Sequence, residues 1–350
     1  MSSSPIATIP HLDRILSADE AIATGAHLVS LQRPSGMIPW FPGGHCDPWN
    51  HVESAMALDV TGFHHEAERA YRWLADIQRL DGSWHNYYRS DGSVEESKLD
   101  SNVNAYIATG LWHHWRCTDD LSAVDELFPV VERALDWVLA HRRADGTVLW
   151  AVEPDHAPWD YALLTGSSSI QHSLRCGAEL AALVDRARPE WAAAADVIAD
   201  VVANSPDAFE PKTRWAMDWY YPVLTGALTG AAAKARLAEG WDTFVLEGLG
   251  IRCVSDETWV TASETAECSL AFAAIGDVDT ATDLLAWTRG HRRSDGSYWT
   301  GIVHPSGELF PADEHTSYTA AAIILAADTI TGASPAADLF THTHTHLDSE

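Results

Sequence analysis

The chain is poor in cations. Of its 350 residues, 22 are Lys or Arg against 50 Asp or Glu, a formal net charge of −28. A nucleic-acid binder needs a basic face that displaces phosphate counterions, and this composition excludes a large one. An anionic membrane surface is repelled for the same reason. Long apolar runs are missing too: the stretch around Ala320–Ala327 falls far short of the ~20 residues that span a bilayer. The first ten residues lack the basic patch and apolar core of a secretory signal. Cysteine is sparse: Cys46, Cys117, Cys176, Cys253 and Cys268 are odd in number and scattered, with no C-x-x-C. That pattern predicts reduced thiols in a cytoplasmic protein, with Cys176 and Cys268 as small core residues. No P-loop or dinucleotide fingerprint opens a helix after a strand, so no cofactor is expected.

What is present is apolar and aromatic: 46% apolar residues and 16 Trp, enough for a large core. Helical periodicity recurs along the chain, and alternating strand patterns are few. Amphipathic stretches lie at 17–32, with Ser17 as N-cap, and near 64–80, 121–143, 189–204, 231–247 and 277–293. Between them, six segments begin near His51, Ser101, Ser168, Asp218, Ala262 and His315. Each opens with polar residues and continues with small ones, such as Ala105, Ala108 and Gly110. Small residues allow close helix approach, and polar starts place side chains at one mouth of a bundle. Six inner helices alternating with six outer ones predict an all-α, (α/α)6 toroid. The repeat of about 50 residues fits a single catalytic domain over 1–350, with a core of about 13–331 and short tails. The Thr–His alternation at 341–346 reads as a solvated tail. Asp-Gly turns at 81–82, 91–92, 145–146 and 295–296, with Pro34-Ser35-Gly36, punctuate the repeats.

Two resemblances bear on function. The stretch Arg69-Ala70-x-x-Trp73-Leu74-x-x-x-Gln78-x-x-x-Gly82-x-Trp84 resembles the QW repeat of triterpene cyclases and their prenyltransferase relatives, which are α/α toroids. The D-x-D-D acid of those cyclases is absent, as is the Asp-x-Cys zinc arrangement of the prenyltransferases. The second resemblance is carried by Pro39–Glu53, Met217–Pro222 and Trp259–Glu264. These segments are similar to those of an actinobacterial family, the methylmannose polysaccharide hydrolases, over about 15–330. The resemblance implies a toroidal, endo-acting α-1,4-mannanase working on a neutral, cytosolic polysaccharide.

Glycoside hydrolysis needs a proton donor and a second carboxylate. Toroid glycosidases as a class usually invert and draw the pair from inner-helix mouths. Asp47, in a Gly-Gly-His-Cys-Asp-Pro-Trp loop, and Glu264, opening the fifth inner helix, are the expected catalytic pair, with Glu264 as acid and Asp47 as base. The structural alternatives are an Asx turn ahead of Pro48 and a first-turn Glu complementing a helix dipole. Glu267, one turn after Glu264, is expected to raise a neighbouring pKa. Expected substrate contacts are Trp40, Trp49, His51, Glu53, Asp100, Asn102, His172, Asp218, Trp219, Tyr220, Arg252, Glu267, Trp299 and Glu314. Arg252 is expected to pair with one of the acids. His45, Cys46, Asp47 and His51 match no closed zinc spacing, so no metal is expected. Alternative readings are a sugar isomerase or epimerase on the same toroid, a terpenoid-cyclase-like enzyme, and a glycan-binding toroid without activity. Sequence leaves the oligomeric state open.

Overall fold

A computed structural model describes residues 8–341. The outer helices are α1 (Ala18–Leu31), α3 (His64–Ile77), α6 (Leu121–Ala140), α8 (Pro189–Asn204), α10 (Gly230–Phe244) and α12 (Val278–Trp287). The inner ones are α2 (Pro48–Val60), a helix broken at Tyr106 into α4 (Ser101–Ala105) and α5 (Ile107–Thr118), α7 (Leu164–Leu183), α9 (Ala216–Leu224), α11 (Ala262–Ala274) and α13 (Ser317–Thr331). Each inner helix packs on the next, and α13 returns against α2 to close the ring. The fold is the expected (α/α)6 toroid. Inner helices are buried all round, so they read as small and apolar, whereas outer helices carry one apolar stripe. Among the described residues no helix is long and apolar enough to cross a membrane.

The outer ring is sewn together by the Asp-Gly turns. After α3, Asp81 Oδ1 accepts from Ser83 N and Oγ, and Gly82 sits at φ +94°. A Cβ on Gly82 would lie 2.4 Å from the Arg133 carbonyl of α6, so only glycine fits this seam. Gln78 Nε2 donates to Gly82 O and to Val130 O of α6, both at 2.9 Å. Gln32 does the same between Gly36 and Glu66 of α3. The QW-like residues are thus seam clamps, which explains the resemblance without any shared chemistry. The turns at Gly36, Gly82, Gly146 and Gly296 press on α3, α6, α8 and α1 respectively.

Short strands decorate the mouth, where sequence suggested few. A hairpin joins β1 (Tyr87–Tyr88) and β2 (Val94–Glu96). A three-stranded antiparallel sheet holds β3 (Leu99–Asp100), β4 (Ala151–Val152) and β5 (Pro158–Trp159). A five-stranded meander holds β6 (Val245–Leu246), β7 (Gly250–Arg252), β8 (Trp259–Thr261), β9 (Gly301–Val303) and β10 (Glu308–Leu309). Strands β3 and β8 run directly into α4 and α11, which fixes where those inner helices start.

The opposite end is closed. The segment after α13 was expected to be a tail, but Ser334, Ala336, Ala337, Leu339 and Phe340 are buried beneath the ring. Arg116 at the end of α5 pairs with Asp338 at 2.7 Å, and Asp328 accepts from Ser334 N and Oγ. Nearby, His114 Nδ1 donates to both oxygens of buried Asp59, at 3.0 and 2.9 Å. His64 and His113 flank the same carboxylate. The Thr–His run from residue 342 on lies outside the described residues.

Candidate active site

The inner helices all start at the mouth, and their first residues form its rim. Asp47 is the N-cap of α2. Its Oδ1 accepts from Asn50 N at 3.0 Å, and its Oδ2 accepts from Asn50 Nδ2 at 2.8 Å and Trp40 Nε1 at 2.7 Å. Asx capping and a functional carboxylate coexist in this residue. Burial pushes the Asp47 carboxyl above its usual range despite those three donors. On α11, the half-buried Glu264 accepts from Ser263 Oγ at 2.7 Å and from Cys253 Sγ at 3.2 Å. Helix α13 lies between α2 and α11, and its Tyr318 packs edge-on against Trp40 at 4.9 Å. Burial, then the charge of Glu264, raises the Tyr318 hydroxyl. Tyr318 therefore stands between the two rim acids.

A second tier lies one to two turns deeper. Glu53, six residues after Asp47, is about 9 Å further down the helix axis. Its Oε1 accepts from Trp49 Nε1 at 2.9 Å and Tyr106 OH at 3.2 Å. Glu267 accepts from Tyr220 OH. Burial raises Glu53 to about 7, and the charge of Asp47 adds to that rise. Burial, then the charges of Glu53 and Glu264, raises Glu267 well above the usual carboxyl range. Sequence paired Glu267 with Glu264 on the same helix; the charge acting most on Glu267 is that of Glu53 on α2, ahead of Glu264.

A cavity of about 290 Å³ opens beside this pair and is lined by Trp49, Asp100, Asn102, Trp150, Thr165 and Asp218, among others. Asp100 caps α4 through Asn102 N and Val103 N, and burial lifts it to about 6. Asn102 Oδ1 is buried there without a partner among the described residues. Asp218 accepts from Thr165 Oγ1 at 2.7 Å, and burial raises its carboxyl. Lys98 stands 4.1 Å over the Trp150 ring. Glu314, half-buried on the Trp40 side, is raised by burial. Aromatic faces and unsatisfied hydrogen-bonding groups around a buried acid pair suit a polyhydroxylated, uncharged ligand.

Several expected contacts lie elsewhere. His51 accepts from Ile38 N at 3.1 Å through Nδ1 and donates to Ala70 O at 2.9 Å through Nε2. Burial lowers it to about 4, so it is a neutral structural bridge. His172 lies 3.2 Å from Leu339 O and stacks on Phe340, at the closed end. Trp219 stacks on Phe244 and donates to Arg236 O, so it belongs to the α9–α10 core. Arg252 donates to Ser255 O and forms no ion pair among the described residues, against expectation. Trp299 packs against His315, beneath Arg293. Tyr220 is fully buried behind Glu267 and holds that acid, without a surface for a ligand. Tyr106, Tyr318, Trp150 and Cys253 join the site without having been picked out from sequence. One signal marks Tyr106: it follows Asp100 by six residues, as Glu53 follows Asp47.

No family model matches the chain. It is 45% identical over 332 residues to an MMP endo-(1,4)-3-O-methyl-alpha-D-mannosidase of Mycolicibacterium hassiacum, covering 95% of this chain and 92% of that protein. The chain belongs to this mannosidase family. It is a glycoside hydrolase, as its second resemblance implied. Among solved structures, a wild-type glycosidase superposes with TM-score 0.72 at 15% identity, over 92% of this enzyme and 100% of that chain. A D-mannose isomerase superposes with TM-score 0.67 at 12% identity, over 89% and 96% respectively. A sugar epimerase from a ruminal bacterium gives 0.68 at 10%, over 90% and 98%. At those identities the structures share the fold alone. The two imidazoles expected at the site, His51 and His172, instead bond the backbone carbonyls of Ala70 and Leu339.

Proposed function

We propose that this enzyme cleaves internal α-1,4 linkages of a 3-O-methylmannose polysaccharide with inversion, using Asp47 as general acid and Glu264 as general base. The specificity rests on the name of the 45% identical relative. The observation that carries the roles is the contrast between the rim acids. Asp47 is buried and its carboxyl raised, which suits a proton donor. Glu264 is half-buried, with hydroxyl and thiol donors on its oxygens, which suits a base. This reverses the roles expected from sequence. Asp47 would protonate the glycosidic oxygen as its bond to C1 breaks. Glu264 would take a proton from the water that bonds to C1 on the opposite face. Free thiols on all five cysteines support a reducing, cytoplasmic setting.

The roles separate with leaving groups. Asp47→Asn should lose turnover of the polysaccharide yet retain much of it on a mannosyl fluoride or dinitrophenyl mannoside, which need no protonation. Glu264→Gln should lose both. Equal loss on both substrates in Asp47→Asn would sink the acid assignment. Proton NMR of the first-formed anomer tests inversion, and a retained α-anomer would reject it.

A further inference from the structure

A second cavity lies away from the mouth. It is a groove of about 700 Å³ on the flank of the ring, between α10 and α12 and around the end of α11. Its origin is the missing seam. Four neighbouring outer pairs are sewn by a glycine turn, but α10 is followed by the β6–β7 hairpin, and no such turn presses on α12. The groove face of α10 carries Lys234, Leu237, Ala238, Trp241 and Asp242, a stripe at helical spacing directed at a neighbour that does not arrive.

The chemistry of the stripe is specific. Trp241 is half-buried and set edge-on against Phe272 at 5.5 Å, which fixes its ring. Its indole N–H has no partner among the described residues, unlike those of Trp40, Trp49, Trp84, Trp191 and Trp219, all of which donate within the protein. Lys234 and Asp242 flank the ring with an exposed ammonium and carboxylate that make no ion pair or hydrogen bond among the described residues. Asp277 and Thr280 on the far wall satisfy each other as the cap of α12. A fixed aromatic face, apolar side walls and free donors and acceptors of both signs match a neutral, amphipathic ligand. A polyanion, or a second copy of a chain carrying −28, meets repulsion at long range. The volume lies within the ~300–1,000 Å³ of small-ligand sites.

We propose that this groove is a second, non-catalytic site for the substrate polysaccharide, with a methylated mannose unit lying on Trp241. The methyl ether would pack on Ala238 and Ile275, and hydroxyls would meet Lys234 and Asp242. This deepens the substrate reading above and rests on it. The groove would tether one stretch of polymer while the mouth cuts another, so it matters for long chains and not for short ones.

The test compares wild type, Trp241→Ala, Trp241→Phe and Ala238→Glu on a long α-1,4-linked 3-O-methylmannan and on its tetrasaccharide. Losing one stacked ring should raise KM on the polymer by about tenfold. kcat on the polymer and both constants on the tetrasaccharide should stay at wild-type values. Trp241→Phe should recover most of the loss. Ala238→Glu fills the groove from an exposed helix position without removing a packed ring, so it should reproduce the defect even if Trp241→Ala folds poorly. Wild-type KM on the polymer in Ala238→Glu overturns the proposal. So does a sedimentation mass that doubles with concentration in wild type and not in Ala238→Glu, which would make the groove a self-association face. If wild type cleaves neither glycan, the substrate reading fails first and this inference falls with it.

Discussion

Trp40 donates its indole N–H to Asp47 Oδ2 at 2.7 Å, while the edge of the same ring meets Tyr318 of the closing helix. A donor to the charged form of a carboxylate lowers its pKa. Trp40 therefore restrains the rise that burial imposes on Asp47. If Asp47 is the general acid, its pKa sets the alkaline limb of kcat/KM against pH. Trp40→Phe keeps the ring and removes the donor. The alkaline limb should move up by about one unit, the worth of a charge-assisted hydrogen bond. An unmoved limb would disconnect Asp47 from proton donation.

Glu53 gives a stability signature. Its carboxyl is raised by burial to about 7 in the folded protein, against 4.5 for the ordinary group. Between those values the folded state binds more protons than the unfolded one, so stability falls as pH rises through that window. The full cost above pH 7 is roughly 3 kcal/mol for a shift of this size. Glu53→Gln cannot ionise, so chemical denaturation should show a flatter decline from pH 5 to pH 8 and a variant more stable than wild type at pH 8. A parallel decline in both proteins would place the titration elsewhere.

Asp59 and His114 behave in the opposite sense. Burial alone would raise Asp59, but the charge and hydrogen bonds of His114 outweigh it and hold it low. Burial alone would lower His114, and Asp59 outweighs that and holds it high. The pair contributes fully above the ordinary Asp value and below the ordinary His value, roughly pH 4 to 6.5. It is lost as pH falls through the Asp59 pKa or rises through that of His114. Asp59→Asn should cost about 3–5 kcal/mol near pH 5.5, less at both ends, because it strands a buried partner. A penalty independent of pH would show that packing, not charge, is what Asp59 supplies.

The closed end makes a third stability prediction. Phe340 is buried and stacked on His172. Phe340→Ala should cost about 3–5 kcal/mol, as for other buried aromatics. Deleting residues 332–350 should abolish cooperative unfolding by calorimetry. A truncated protein melting at the wild-type temperature would return this segment to the status of a tail.

Outer helices were legible because each carries its own apolar stripe, and Ser17 and the Asp-Gly turns mark their ends. Asp47 and Asp100 were legible because they are N-caps, and caps have a local signature. The strands were not, since two or three residues cannot show a period. The floor was not, because Ala336, Leu339 and Phe340 are apolar only in the ordinary way and are buried by a ring they do not belong to. His51 and His172 misled because their partners are carbonyls at Ala70 and Leu339, distant in sequence and chemically silent. Trp219, Tyr220 and Tyr221 are successive residues about 100° apart on a helix, so one cluster in sequence necessarily divides between core and site.

The ring closes on its last helix. Ser317 N at the start of α13 bonds Trp40 O at 2.7 Å, and Tyr318 completes the wall between the rim acids. During synthesis, the Asp47 loop emerges before α13 and waits for it, since Ser317 lies 270 residues further along the chain. A ribosome-bound chain therefore holds both rim carboxylates before it holds a site, and its exposed inner helices are the ones a chaperone would have to cover.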